Sequence, residues 1–185
     1  MAKKPLPCPT VLRQLLRYEP ETGKLFWRDR GERLFPSRRH YLTWKTRYCG
    51  KEALCNISSA GYYRGNVFNR NILAHRAAWA VHYGEHPKAD IDHINGNPLD
   101  NRLTNLRNAT RSENMANSRP AMGKSSKYLG VSFDKSRGKW AAELTRHYKK
   151  HRLGRFDSEV EAAKAYDDAA KHLHGDYAHL NFPTG

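Results

Sequence analysis

Apolar residues in this chain come in short runs whose spacing changes along its length. Over residues 10–18, Val11, Leu12, Leu15 and Leu16 fall on one helical face and predict a short helix with Thr10 as N-cap, ended by Pro20 and Gly23. Residues 24–28 read as a strand. Residues 29–50 are basic and aromatic, with no period that selects an element. A hairpin is expected over 61–74, with strands near 62–68 and 71–74 and its turn at Asn69–Asn71. A helix follows over 75–83, closed by Gly84. Strands near 90–94 and 104–109 flank an Asn-Gly-Asn-Pro turn, and a helix starts near Thr110 or Ser112. Residues 119–127 are small, polar and basic, as a linker would be. Beyond them, strand-like runs at 128–133, 139–146 and 149–155 precede a helix with Ser158 and Glu161 as a capping box. Its apolar face is Ala162, Tyr166, Ala169 and Leu173, with Gly175 just past its end. The fold class is α+β: a small β-rich N-terminal region over 1–74, a strand–strand–helix unit over 75–118, and a three-stranded antiparallel sheet on one helix over 128–183.

Charge narrows the partners. Net charge is +15 over 185 residues. Residues 1–74 carry 15 Lys/Arg against 5 Asp/Glu, residues 75–118 carry 5 against 5, and residues 119–185 carry 13 against 8. Two basic flanks around a neutral block suit a polyanion-binding protein whose centre keeps carboxylates for a cation. No apolar run approaches the roughly 18 residues of a membrane helix, and no signal peptide is read at the N-terminus, so no membrane partner is expected. An odd count of cysteines (Cys8, Cys49 and Cys55) without a paired motif suits a reducing cytosol. Cys49 and Cys55 are poorly spaced for zinc.

The densest chemistry lies in residues 91–118. His93 follows Asp92 directly, Asn105 comes 12 residues later and Asn114 a further 9. With the NGNPLDNR turn, Asn105-Leu106-Arg107 and Glu113-Asn114, this stretch resembles the HNH endonucleases of phages and mobile introns. His75-Arg76, Trp79 and the opening LLRYEPETGKLFWR extend the resemblance over roughly 10–118. It implies two antiparallel strands and a helix around one metal ion. It also implies His93 as general base, Asp92 and Asn114 as metal ligands, and Asn105 as the brace of the loop holding His93. Asn114 stands where many relatives have histidine. Independently of the resemblance, an imidazole with an ordinary pKa of about 6.5 can accept a proton from water near neutrality. An all-oxygen ligand pair favours Mg²⁺ or Mn²⁺ over zinc. Adjacent strand residues point to opposite faces, so Asp92 and His93 can converge only at a strand end or bulge. Arg76 and Arg107 are candidates for the scissile strand, or else solvated charges. His75 is a possible accessory group, or packs beside Trp79.

Residues 128–183 resemble the plant ethylene-response-factor type of DNA-binding domain. Tyr128, Gly130-Val131, Gly138-Lys139-Trp140, Leu153-Gly154, Glu161-Ala162-Ala163, Tyr166-Asp167 and Leu180-Asn181-Phe182-Pro183 carry the resemblance. It implies a sheet laid in the major groove. Period-two reading puts Trp140, Ala142 and Leu144 toward the helix. Lys139 and Glu143 then lie on the outer face with Lys150 and Arg152. Arg152 suits bidentate guanine contact, and Lys139 and Lys150 suit phosphates. Leu129, Ser132 and Asp134 stand near positions where plant domains carry arginine, so the plant target does not transfer. The expected protein is a metal-dependent endonuclease on double-stranded DNA, in the cytoplasm of a bacterial host, nicking if monomeric. The oligomeric state is open, with a monomer preferred. A non-catalytic DNA-binding regulator and a basic RNA-binding protein are the alternatives.

Overall fold

The computed structural model describes residues 6–117, 125–146 and 149–182. Its contacts divide the chain into two compact units, Met1–Asn108 and Ala109–Gly185. The family of elements is mixed, helices alternating with small antiparallel sheets, as the α+β reading requires. Among the described residues, no helix is long and apolar enough to cross a membrane.

In the first unit, α1 (Pro9–Leu15) starts two residues earlier than expected, with Cys8 rather than Thr10 at the N-cap and Pro9 in the first turn. Proline suits that position because its missing N–H has no intrahelical partner there. The helix stops at Leu15 because the chain turns directly into β1 (Leu16–Glu19), which pairs antiparallel with β2 (Lys24–Trp27). Leu12, Leu15 and Leu16 nevertheless enter one core with Leu25, since the change from helix to strand keeps all of them on the inner side. A short strand β3 (Glu52–Ala53) completes this sheet. The unassigned basic stretch contains α2 (Arg38–Tyr48), capped by Ser37 Oγ, and this helix buries no residue.

A second sheet joins β4 (Asn56–Ile57), β5 (Tyr63–Val67) and β6 (Arg70–Leu73). The β5–β6 turn is the pair Phe68-Asn69, both at positive φ, rather than Asn69–Asn71. That conformation matches the right-handed twist of a tight hairpin. The helix α3 (Ala74–Tyr83) ends at Gly84 and packs on α1, burying Ala74, Ala77, Ala78, Trp79 and Ala80. The strands β7 (Asp90–His93) and β8 (Leu106–Ala109) form a two-stranded sheet.

The second unit begins at the end of β8. Its first helix, α4 (Arg111–Ala116), has Thr110 as N-cap and a full capping box with Glu113. The sheet of β9 (Val131–Asp134), β10 (Lys139–Arg146) and β11 (Lys149–Phe156) is covered on one face by α5 (Glu159–His174). β9 starts later than expected because residues 128–130 form a turn. At α5, Ser158 Oγ accepts from the Val160 amide rather than forming a box with Glu161. The buried face of α5 is Ala162, Ala163, Tyr166, Asp167 and Ala170, one step around from the expected stripe. Asp167 belongs there because its carboxylate accepts from the Asn181 and Phe182 amides, at 2.8 Å each, and so ties the C-terminal segment to the helix. Residues 119–124 of the proposed linker, and Pro183, lie outside the described residues.

Gly130 shows how closely this unit is packed. At φ +70°, a Cβ there would lie 2.1 Å from the Tyr166 ring and 2.6 Å from the Glu143 carbonyl oxygen. Gly130→Ala is therefore expected to destabilise the second unit by about 2 kcal/mol or more. A thermal melt that matches wild type would show that Tyr166 moves aside without cost.

Candidate active site

The site is built around a loop that hangs between two very short strands. His93 ends β7, and its carbonyl accepts from the Gly96 amide at 2.7 Å, so the chain turns at once. Asn105 clamps the resulting loop. Its Oδ1 accepts from the Asn95 amide at 2.9 Å, and its Nδ2 donates to Asn95 Oδ1 at 3.0 Å and to the Asp100 carbonyl at 2.7 Å. The Asn105 carbonyl also accepts from the Ile94 amide at 2.9 Å. Asp100, held well below its ordinary range at about 2 by the Arg102 guanidinium, accepts from Asn95 Nδ2 as well. The segment Asn95–Arg102 is thus held by side-chain amides instead of a regular ladder.

The N-terminal sheet props this loop from behind. Tyr18 Oη donates to the Asn101 carbonyl at 2.7 Å, and the Leu103 amide donates to the Pro20 carbonyl at 3.1 Å. Gly23, at φ +73°, sits so close that a Cβ would lie 2.5 Å from the Arg102 nitrogen. No bulkier residue fits between the β1–β2 turn and the loop without shifting one of them.

His93 is buried, with 5% of its surface exposed. Its Nε2 lies 3.0 Å from Asn101 Oδ1. With the amide oxygen so placed, Nε2 carries the hydrogen and Nδ1 keeps its lone pair. Tyr62 and His75 box the ring: the His75–His93 centroids are 5.2 Å apart and the Tyr62–His93 centroids 5.8 Å. Burial pulls the His93 pKa below 6.5, against the opposing pull of Asn101 and of the Asp92 and Asp100 charges. His75 is driven further, to about 3, by burial and by the positive charge that His93 and Arg76 would set beside it. Its Nδ1 has no hydrogen-bond partner among the described residues.

Asp92 takes a different direction from its neighbour. Its Oδ2 accepts both Nε and Nη2 of Arg107, each at 2.8 Å, with Asp92 at 3% exposure. The alternation of strand side chains accounts for the separation of Asp92 from His93. Arg107 is thus an ion-pair partner rather than a solvated charge, and Arg76 donates to the Ala89 carbonyl at 3.2 Å, closing the loop after α3. Asn114 lies on α4 in the second unit, where its amide donates to the Thr110 carbonyl. An oxygen-binding cation fits Asp92 chemically, although Arg107 already occupies one carboxylate oxygen. Among the described residues, no three His, Cys, Asp or Glu side chains gather into a ready-made cage, and Cys49 and Cys55 are free.

On the second unit, Glu143 is flanked by Lys150 at 3.4 Å and Arg152 at 3.8 Å, and Lys139 reaches Asp157 at 3.1 Å. All these cations are exposed. Asp134 draws in Arg137 and Arg155 and is held far below the usual carboxylate range by Ser136 and those two guanidiniums. Sequence reasoning passed over Asn101 and Tyr62. Asn101 sits 8 residues from His93 inside a turn-forming run, with nothing in its spacing to mark it as the imidazole's partner.

The HNH endonuclease family model matches residues 73–116, and the AP2 domain model matches residues 126–176. Protein 3.8 of Escherichia phage T7 is 35% identical over 105 residues, covering 56% of this chain and 86% of the phage protein. Dehydration-responsive element-binding protein 2D of Arabidopsis thaliana is 48% identical over 58 residues, 30% of this chain and 28% of the plant protein. Ethylene-responsive transcription factor 3 of Nicotiana tabacum is 52% identical over 48 residues, 25% of this chain and 21% of that protein. The chain thus spans less than a third of these plant relatives.

Asn105→Ala removes one acceptor and two donated bonds from the loop. It is expected to cost about 2–3 kcal/mol and to expose the Asn95 amide to solvent exchange. Unchanged hydrogen exchange at Asn95 would mean that the bond from Asn95 Nδ2 to the Asp100 carboxylate holds the loop without Asn105.

Proposed function

The chain belongs to the same family as Protein 3.8 of phage T7 and carries an HNH endonuclease domain and an AP2 DNA-binding domain, and we propose that it is a metal-dependent endonuclease hydrolysing DNA phosphodiester bonds, of the phage or intron homing type. The observation that supports this most directly is the presentation of His93: a buried imidazole with one nitrogen fixed on Asn101.

In this reading His93 is the general base. Its lowered pKa keeps the ring neutral at physiological pH, and the bond to Asn101 places the hydrogen on Nε2, so that Nδ1 is the nitrogen to take a proton from the attacking water. Tyr62 and His75 keep the ring in one orientation, and His75 adds no positive charge because it too stays neutral. Asp92 and Asn114 would hold one divalent cation, Mg²⁺ or Mn²⁺ by the hardness of oxygen donors. When bound, that cation would supply charge neutralisation on the phosphate and at the departing 3′ oxygen. Arg107 orients the Asp92 carboxylate from the second strand. On the second unit, Lys139, Lys150 and Arg152 on the open face of the sheet contact duplex DNA, as the AP2 domain implies. One such centre per chain gives a nick from a monomer and a double-strand break from a dimer.

A second reading, a DNA-binding regulator that has lost cutting, draws on the Asp92–Arg107 pair: a carboxylate already matched by a guanidinium has less need of a cation. Supercoiled plasmid with Mg²⁺, Mn²⁺, Zn²⁺ or EDTA separates the two. The nuclease reading expects open circles with Mg²⁺ or Mn²⁺ alone, and a loss of about 10²–10⁴-fold in His93→Ala without loss of binding. It also expects the acid limb of the rate profile below pH 6.5, since burial depresses the imidazole pKa and the base form survives to lower pH. Tight plasmid binding without cleavage under every metal would leave the regulator.

A further inference from the structure

The least explained element of the first unit is α2. It has 11 residues, buries none of them, and carries four Lys/Arg with no Asp or Glu. A helix that is not held by a core face needs another reason to be kept. Residues 28–51 as a whole carry eight Lys/Arg against two Asp/Glu. Asp29 and Glu32 are both committed, to Lys45 at 2.6 Å and to Arg38 at 3.5 Å. Arg39 and Arg47 are exposed and take part in no ion pair among the described residues.

The aromatic residues here are arranged as a groove rather than a core. Arg39, His40, Trp44, Arg47 and Tyr48 line one stripe of α2, because residues four and eight apart share a face. Phe35 closes the stripe from the preceding segment, and the groove between them encloses about 590 Å³. Phe35 and Trp44 centroids are 5.5 Å apart, and Trp44 and Tyr48 centroids 6.0 Å. Behind Trp44, the Arg30 guanidinium is sandwiched against Trp27 at 4.5 Å and Trp44 at 4.6 Å. Trp44 is thereby fixed from one side by a stacked cation and from another by Trp27, and it lines the groove.

We propose that this groove binds an unstacked base of single-stranded DNA, its ring stacking against Trp44 and Tyr48 while Arg39 and Arg47 hold the flanking phosphates. Aromatic rings beside guanidiniums that hold no ion pair among the described residues, with Arg47 lying over the Tyr48 ring at 5.4 Å, are the chemistry that grips unpaired nucleotides without reading their sequence. Duplex DNA offers phosphates but no exposed base face, so it would leave the aromatic lining unused. The absence of carboxylates from α2 disfavours a basic or neutral protein partner. The proposal rests on the DNA-nuclease reading for the identity of the nucleic acid, and it gives the N-terminal unit a role at strands opened or frayed near a cut.

The test uses the full chain in EDTA, so that cleavage does not enter. Fluorescence anisotropy compares a labelled oligothymidine of about 20 nucleotides with a duplex of the same length, for wild type, Trp44→Ala, Trp44→Phe and the pair Arg39→Gln/Arg47→Gln. Trp44→Ala is expected to lower the ratio of single-strand to duplex affinity by about 5- to 150-fold, while Trp44→Phe, which keeps a stacking face, stays within about threefold of wild type. The arginine pair should reduce the salt slope of oligothymidine binding by about 1 to 2. Trp44→Phe also guards against misfolding: if it falls as far as Trp44→Ala, stacking is not the cause and the proposal fails. Equal loss on both DNAs, no change on either, or self-association that Trp44→Ala abolishes while oligothymidine is ignored, would each overturn it. A wild type that nicks no plasmid yet shows the expected ratio change would retire the nuclease reading and leave the groove standing.

Discussion

A side-chain amide does in this protein what a hydrophobic core does elsewhere. The strands β7 and β8 have four residues each and send only Ile91 and Leu106 into the main core, too little to order the loop between them. Asn105 supplies the order instead, closing Asn95 and Asp100 into one hydrogen-bonded ring and passing its own carbonyl to Ile94. Everything that presents His93 hangs on that ring: the turn at Gly96, the placement of Asn101, and the salt bridge of Asp100 with Arg102. The leucine core under α1 contributes at one remove, through Tyr18 and Pro20, which carry the loop on the edge of the N-terminal sheet. Stability in the first unit and geometry at the histidine are thus coupled through a few backbone contacts.

Much of the architecture could be read from residue order alone, where local chemistry and tertiary packing agree. α3 was legible because its alanines and Trp79 repeat on one side and Gly84 ends it. The second unit was legible in the alternation of β10, with Ala142 and Leu144 against α5. α2 was not, since a helix without a buried side leaves no apolar period. The end of α1 was not legible either, because Leu15 and Leu16 are both apolar and both buried on either side of the change from helix to strand. The Phe68-Asn69 turn defeated composition too, as phenylalanine seldom takes positive φ.

At the site the limits were of a different kind. His93, Asp92 and Asn105 stand out as residue types at suggestive spacing. Their partners do not: Asn101 lies in a run of turn residues, and Arg107 looks like any basic residue of a strand. Such pairings depend on which way a loop folds back, and that is decided by contacts with the N-terminal sheet rather than by the loop's own sequence. The terminal Asn181 is a parallel case. Its amide side chain bonds both the carbonyl and the N–H of Leu129 while Asp167 receives it, a latch that spans most of the second unit.

The third strand of the second unit holds one irregularity, between Ala142 and Glu143 in the pairing of β10 with β11. Opposite it, Arg152 pairs with Glu143 and Gly154 with Ala142, so Leu153 is the unmatched residue. Before this point alternate residues alone decide which side chains face out; after it the order is reversed, and Phe156 turns inward beside Leu153 while Arg155 turns out. The exposed cations of β11 are therefore set in a frame that a single inserted or deleted residue would invert, exchanging arginine for phenylalanine along the open face. Replacing side chains on that face leaves the frame intact, whereas a one-residue change in strand length ahead of the irregularity does not.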